Sequence, residues 1–196
     1  MPNNATSACI LGYHGTDRAE KENIIRNNFR ESIGRHHWLE NGVYFFVEGI
    51  SDSPIDDASN WAIAQAWDND KKRFQYTEYV VFEAQIKFDR IWDLTTQEGL
   101  KMFNYARTQI IRKIGLQYTL EPGAKQGYYD ADVIEVVRKR LKFQVVKANV
   151  YIKFTFERKK NIISHIPNVT IISVSNPKQA IEKSCIKVVK QGVASS

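Results

Sequence analysis

Between Tyr79 and Phe88 apolar side chains recur at every second position, as Val80, Phe82, Ala84, Ile86 and Phe88. That is the period of a strand with one face buried, and it commits the chain to a sheet that something must cover. Other apolar stretches carry the same message. Ala8 to Tyr13 reads as a first strand ending at Gly15, and Val43 to Val47 as a short aromatic strand after an Asn41-Gly42 turn. Gln144 to Phe156, Val169 to Val174 and Cys185 to Val189 are rich in β-branched residues. Helical spacing interrupts them. Thr16 offers a cap for a helix whose buried face is Ala19, Ile24, Ile25 and Phe29, and Ala58, Trp61, Ala62, Gln65 and Ala66 mark a second after a Ser51 to Asp57 loop. Leu100, Phe103, Arg107, Ile110, Ile111 and Ile114 mark a third helix, the loop from Glu121 to Gly127 follows, and Val133 to Leu141 forms a fourth. No regular βαβ alternation emerges. The expectation is an α+β domain with a split or bent, mainly antiparallel sheet flanked by helices.

With 196 residues and no repeat, low-complexity tract or long linker, residues 1-196 read as one domain. No apolar run approaches the ~20 residues of a membrane span, and Met1 to Tyr13 has neither a basic head nor an apolar segment. Two cysteines, Cys9 and Cys185, ask for no disulfide framework. A soluble, cytoplasmic protein is therefore expected, with no membrane partner.

Most standard chemical motifs are missing. There is no phosphate-cradling GxxxxGK[ST], no GxGxxG and no GxSxG. The four histidines, His14, His36, His37 and His165, stand in no HExxH, and the cysteines in no CxxC, so no metal site is expected. His36-His37 reads as exposed loop, although Ser32 to Glu40 has room to border a pocket.

One constellation does stand out. Tyr13-His14-Gly15-Thr16 closes the first strand, and Gly42-Val43-Tyr44-Phe45-Phe46 begins 28 residues after His14. In that order and spacing, with Phe29, Ser32 and Trp61-Ala62 between and after them, residues 8 to 90 resemble the ADP-ribosyltransferase superfamily, in its diphtheria-toxin-like and PARP-like branch. The resemblance implies an enzyme that takes NAD as substrate, with Tyr13, His14, Gly15, Thr16, Ser32 and Tyr44 at the dinucleotide and His14 and Tyr44 as catalytic positions. It also implies a small transferase of bacterial toxin or phage-defence type, with an inhibitory antitoxin as a further partner.

Elementary chemistry gives the same residues their roles. A histidine at a strand end can donate to a ribose hydroxyl while a bare glycine lets backbone approach an amide-bearing ring. Thr16 can bond a phosphate or ribose oxygen at a helix start, and a tyrosine can stack on nicotinamide. Taken singly, His14 and Tyr44 read as core residues, and Trp61 and Trp67 as packing between helix and sheet.

The third catalytic position is less legible. The resembled family carries a glutamate near the start of a late strand, and here Pro167-Asn168-Val169 has none. Glu157, at the end of the preceding strand, is the acid nearest in sequence; its other reading is an ion pair with Arg158 or Lys160. Glu135, on a helix between Ile134 and Val136, is a weaker candidate. Without a glutamate, transfer of a single ADP-ribose unit is expected.

Charge points to the target. From Arg138 to Lys190 there are 13 lysines and arginines against only Glu157 and Glu182, within a chain of net charge +6. Such a split is either a solvated lysine-rich surface or a basic face for nucleic acid or an acidic protein. Arg138, Lys139, Arg140, Arg158, Lys159 and Lys160 are the candidate contacts, with Phe143, Tyr151, Phe154 and Phe156 interleaved. The functional expectation is a mono-ADP-ribosyltransferase that modifies a macromolecule, RNA or DNA before protein. The alternatives are an enzyme like the tRNA 2′-phosphotransferases, which carry a Tyr-His-Gly-Thr of their own but also a basic N-terminal domain for which 13 residues before His14 leave no room, and a module that binds nucleotides without turnover.

Overall fold

The computed structural model describes residues 8–34, 37–68, 70–117 and 129–194, with 114–117 as backbone alone. In chain order the elements are β1 (Ala8–Asp17), α1 (Lys21–Asn27), β2 (Val43–Val47), α2 (Pro54–Ala66), β3 (Trp67–Asp68), β4 (Arg73–Phe74) and β5 (Glu78–Phe88). Then follow β6 (Ile91–Asp93), α3 (Gln97–Gln117), α4 (Asp130–Leu141), β7 (Val145–Val150), α5 (Thr155–Lys159), β8 (Val169–Val174), α6 (Pro177–Ala180) and β9 (Lys187–Val193). Seven strands form one sheet in the order β6-β7-β8-β2-β1-β5-β9, antiparallel throughout except for β6 beside β7. The small strands β3 and β4 pair as a separate hairpin. This is the expected α+β architecture.

The sheet is both bent and split. Only Asp89 and Arg90 separate β5 from β6, yet four strands lie between those two in the sheet. Three residue steps reach at most ~11 Å, whereas five strand spacings in a flat sheet amount to ~24 Å. The sheet must curl back on itself, and the Gln144 side chain fastens the curl by accepting from the amides of Asp89 (2.8 Å) and Arg90 (2.9 Å). The split lies between β1 and β2. Only Gly12 with Val47 and Tyr13 with Phe46 are paired there, while β1 stays paired with β5 from Ala8 to Asp17. From His14 onward β2 leaves β1, while β8 keeps its pairing along the other edge of β2 from Val43 to Phe46.

Each face has its own core. Phe45, Val47, Val80, Phe82, Ala84, Ile86, Ile172 and Val174 pack with Ile24 and Phe29. On the opposite face Phe46, Val81, Trp92, Val146 and Ile171 pack beneath α2, α3 and α4. The alternation read along β5 is thus the inner row of the first core.

Several boundaries differ from the sequence reading, each for a local reason. β1 runs on through Gly15-Thr16 because all ten of its residues pair with β5. The cap of the following turn is Asp17, whose carboxylate accepts from the Ala19 amide at 2.9 Å, and not Thr16. Ala19 is exposed and Ile25 is 39% exposed, leaving Ile24 as the buried residue of α1. α2 begins at Pro54 within the expected loop, since Ser53 caps the Asp56 amide and a proline is at home in the first helical position. The expected strand to Phe156 stops at Val150, because the Asn168 side chain binds both the amide and the carbonyl of Ile152 and turns the chain into α5. The last strand begins at Lys187 and not at Cys185. His36 and the Glu121 to Gly127 loop lie outside the described residues.

The largest correction concerns Arg138. It is 4% exposed and cannot belong to a nucleic-acid surface. Its position four residues after Ile134 places it on the buried stripe of α4. There the guanidinium donates to Glu40 Oε2 (3.2 Å), the Asn41 carbonyl (3.1 Å), Ser173 Oγ (3.1 Å), and the carbonyls of Phe143 (3.2 Å), Gln144 (2.8 Å) and Ser173 (3.1 Å). One side chain thereby ties α4, the loop before β2, β8 and the entry to β7. Arg138→Ala strands the buried Glu40 carboxylate, and such broken pairs cost about 3–5 kcal/mol. Urea unfolding should show that loss, and a smaller one for Arg138→Met combined with Glu40→Gln, which removes both charges together and leaves only neutral acceptors without a donor.

Candidate functional site

Where β2 parts from β1 the strand edges no longer satisfy each other, and side chains take over. His14 stands in the first unpaired row and its Nδ1 lies 2.8 Å from the Tyr44 carbonyl, across the opening. A carbonyl only accepts, so Nδ1 carries the proton and donates. Burial holds the imidazole below its ordinary value of 6.5, so it is neutral near pH 7 and Nε2 keeps a lone pair. The ring is wedged edge-on to Phe29 at 5.2 Å and tilted to Phe45 at 5.7 Å. His14 therefore offers an acceptor to any ligand, the reverse of the donor expected from sequence.

Gly15 is required by contact. A Cβ there would lie 1.9 Å from the Ala58 carbonyl oxygen, so its absence lets α2 sit directly on β1. Gly42 is equally constrained, with Ser173 Oγ 2.3 Å from any added Cβ. Gly42 and Ser32 exchange backbone hydrogen bonds of 3.0 and 3.1 Å, and this bridge closes the loop that carries His37, Trp38 and Leu39. Tyr44 braces the loop from below. Its hydroxyl donates to the Glu40 carbonyl (2.6 Å) and accepts from the Leu39 amide (2.8 Å), and burial pushes the phenol well above its ordinary value.

A cleft of about 410 Å³ opens at this point, lined by His14, Gly15, Ser32, Tyr44, Trp61 and Gln65 among others. Its aromatic wall is continuous. The Trp38 ring lies 6.4 Å from Tyr44 and 5.4 Å from Trp61, and His37 stands 5.8 Å from Tyr44. Among the described lining residues Arg30 is the one lysine or arginine, and none carries a carboxylate. A second hollow of about 380 Å³, bordered by Lys87, Lys139 and Lys142, lies beyond Arg138 and has none of this aromatic wall.

The structure brings His14, Gly15, Ser32 and Tyr44 together as the sequence expected. Tyr13 and Thr16 do not line the cleft. The Tyr13 hydroxyl reaches Glu83 on β5 at 3.4 Å, and Thr16 sits within the ladder opposite Val80. Glu157 is not a strand-end residue. It lies on α5 with Oε2 buried and without a partner among the described residues, outside the lining of the cleft and in no ion pair with Arg158 or Lys160. Glu135 pairs with Lys139 one helical turn away. Arg158 is a further correction to the basic surface. Its Nη1 donates to the Ala64 carbonyl (2.6 Å), its Nε to the Lys153 carbonyl (2.9 Å), and its guanidinium lies 5.9 Å from the Trp61 ring. It caps the Ala64 carbonyl near the end of α2, ties it to the chain before α5, and backs the aromatic wall. Of the other expected contacts, Lys139, Arg140, Lys159 and Lys160 are exposed. Sequence reasoning passed over Arg30 and Trp38, and it gave Trp61 only a packing role. A tryptophan six residues before Tyr44 was the available signal.

No protein-family model matches the chain. Over 96 residues it is 31% identical to an uncharacterized protein of Methanocaldococcus jannaschii, a match covering 47% of this chain and 40% of that protein. The chain thus matches less than half the length of that relative, and the likeness carries no activity with it.

Two measurements check this geometry. The unfolded chain takes up a proton on His14 at the ordinary value of 6.5, which the folded chain resists. The unfolded state therefore binds more protons as pH falls, and stability should drop from about pH 7 towards pH 5. His14→Gln should flatten that part of the stability curve. Tyr44→Phe leaves the Leu39 amide without its acceptor and should lower unfolding stability by about 1–3 kcal/mol, the cost of a buried group left unpaired.

Proposed function

We propose that this chain is an NAD-dependent mono-ADP-ribosyltransferase that modifies a macromolecule, with RNA or DNA as its target. The observation that carries the reading is the cleft at the split, where the His14, Gly15, Ser32 and Tyr44 of the resembled motif meet in one place beside Trp38 and Trp61. Its volume, about 410 Å³, is of the size that encloses a small organic ligand.

In this reading the nicotinamide ring stacks in the aromatic wall of Tyr44, Trp38 and Trp61. The nicotinamide ribose donates a hydroxyl proton to His14 Nε2, and Arg30 meets the diphosphate. Holding the two ends of NAD strains neither strand, because the loop bridge and the Arg138 network fix the walls beforehand. Orientation of the sugar and exclusion of water then favour departure of neutral nicotinamide from an oxocarbenium-like carbon. Lys139, Arg140, Lys159 and Lys160 remain as the exposed basic groups for the target. Phe156, 63% exposed beside Lys159, is available to stack on a base, whereas Phe143 is buried and Phe154 packs on Phe46. The absence of a carboxylate along the described lining favours a second reading, a nucleotide-binding module without turnover.

Incubation with labelled NAD and cell lysate, followed by RNase, DNase or protease, separates these readings. Label that a nuclease removes supports the proposal; label that only protease removes moves the target to protein. NAD binding with no nicotinamide released supports the binding module. His14→Ala and Tyr44→Ala should each abolish transfer in a folded protein. Phosphate contacts release counterions, so binding to single strands should weaken with salt at a log-log slope near −0.7 per contacted phosphate. Lys159→Ala with Lys160→Ala should flatten that slope and leave NAD affinity within about twofold. A chain with no salt-sensitive binding to RNA or DNA would assign its basic face to an acidic protein, such as an inhibitory antitoxin.

A further inference from the structure

The reaction proposed above has a gap. An acceptor O–H or N–H that attacks the sugar carbon must lose its proton, and no carboxylate lines the cleft among the described residues. A different base is already there. His37 lines the cleft, with its ring 5.8 Å from that of Tyr44. Its Nε2 lies 3.2 Å from Ser32 Oγ, and its Nδ1 is buried with no hydrogen-bond partner among the described residues. A buried ring nitrogen without a partner is costly to keep, and a catalytic role is one of the few reasons that such a group is retained.

The pair is held in place from both sides. Ser32 is fixed by its two backbone hydrogen bonds to Gly42, the residue before β2. Gly34 makes room for the imidazole, since a Cβ there would come within 3.1 Å of Nε2. Ser32 thus stands to His37 as a third group stands to the base in other nucleophile-activating arrangements: it engages one ring nitrogen and leaves the other to the reaction.

We propose that His37 is the general base that activates the acceptor in this cleft, with Ser32 as its positioning residue; this rests on the transferase reading above. His37 Nε2–H donates to Ser32 Oγ, which leaves the lone pair on Nδ1. The glycosidic bond between the ribose carbon and the nicotinamide nitrogen breaks, and its electron pair leaves with neutral nicotinamide. The acceptor oxygen or nitrogen forms the new bond to that carbon, its proton passes to Nδ1, and the imidazolium releases its Nε2 proton through the exposed Ser32 hydroxyl to solvent. Charge balances, since the positive charge of the nicotinamide ring in NAD reappears as the released proton. His14 takes no part in this transfer, because its Nε2 is committed to the ribose.

The test compares wild type with His37→Ala, His37→Gln and Ser32→Ala, each checked for folding by its thermal midpoint, measuring transfer of label from NAD to the macromolecules of a cell lysate, and NAD affinity by calorimetry. His37→Ala should lower the transfer rate by about 10²–10⁴-fold, the range of one general base, while NAD affinity changes less than about threefold. Imidazole added to the medium should restore part of the rate of His37→Ala and none of that of His37→Gln, whose side chain fills the space without a comparable base. Ser32→Ala should lose about tenfold in the rate at saturating NAD, over and above any change in NAD affinity. A rate unchanged in His37→Ala, or a loss wholly explained by NAD affinity, overturns the assignment of His37 alone. Wild-type protein that binds NAD and releases no nicotinamide overturns the transferase reading and this assignment with it.

Discussion

A guanidinium in a protein interior needs a partner for every N–H, and the way this chain meets that demand at Arg138 sets the shape of its cleft. Glu40 and the Asn41 carbonyl answer from the loop before β2, Ser173 from β8, and Phe143 and Gln144 from the turn into β7. The Glu40 residue that binds Arg138 through its carboxylate also accepts the Tyr44 hydroxyl through its carbonyl. Electrostatics in the core of one face is thereby transmitted to the residues that wall the cleft on the other side of the loop. The burial of a pair like this contributes more to specificity of arrangement than to net stability, since desolvation offsets much of the attraction.

The strands were legible because their cause is local. Val43–Val47 and Val169–Val174 occupy the predicted positions, and β5 differs by one residue, since β-branched and aromatic side chains at period two leave little choice. The split was not legible in that way. Nothing between Ala8 and Thr16 marks where β2 departs, because the course of β2 is held on its other edge by β8, from more than a hundred residues away. Arg138 and Arg158 misled for a related reason. Charge counts treat every arginine as surface, whereas the four-residue step from Ile134 to Arg138 already placed it among buried positions of α4. Arg158 had no comparable signal, because the α2 carbonyl it caps belongs to a distant part of the chain.

The motif residues divide along the same line. Gly15 and Gly42 were singled out by pattern, and the structure supplies the reason: each is pressed against a neighbouring element too closely for a side chain. His14 was expected at a strand end and stands within β1, in the row where β2 has parted, and its protonated nitrogen was assignable only once the Tyr44 carbonyl stood beside it. Trp38, His37 and Arg30 enter the cleft through loop geometry, which no periodicity encodes. A late acidic residue was sought by its position relative to a strand. The strand is present and its entrance instead carries Asn168, occupied with the backbone of Ile152.

The partnering of β2 also bears on when the cleft is assembled during synthesis. β2 shares only two residue pairs with the strand made before it and relies on β8, near the end of the chain, for the rest. The ribosome will have released His14, Tyr44 and Trp61 long before Val169–Val174 emerges to hold β2 in position. Such long-range pairing is slow to form, and the cleft stays unassembled on every nascent or prematurely terminated chain. The walls of the cleft can close only after Val169–Val174 has been made.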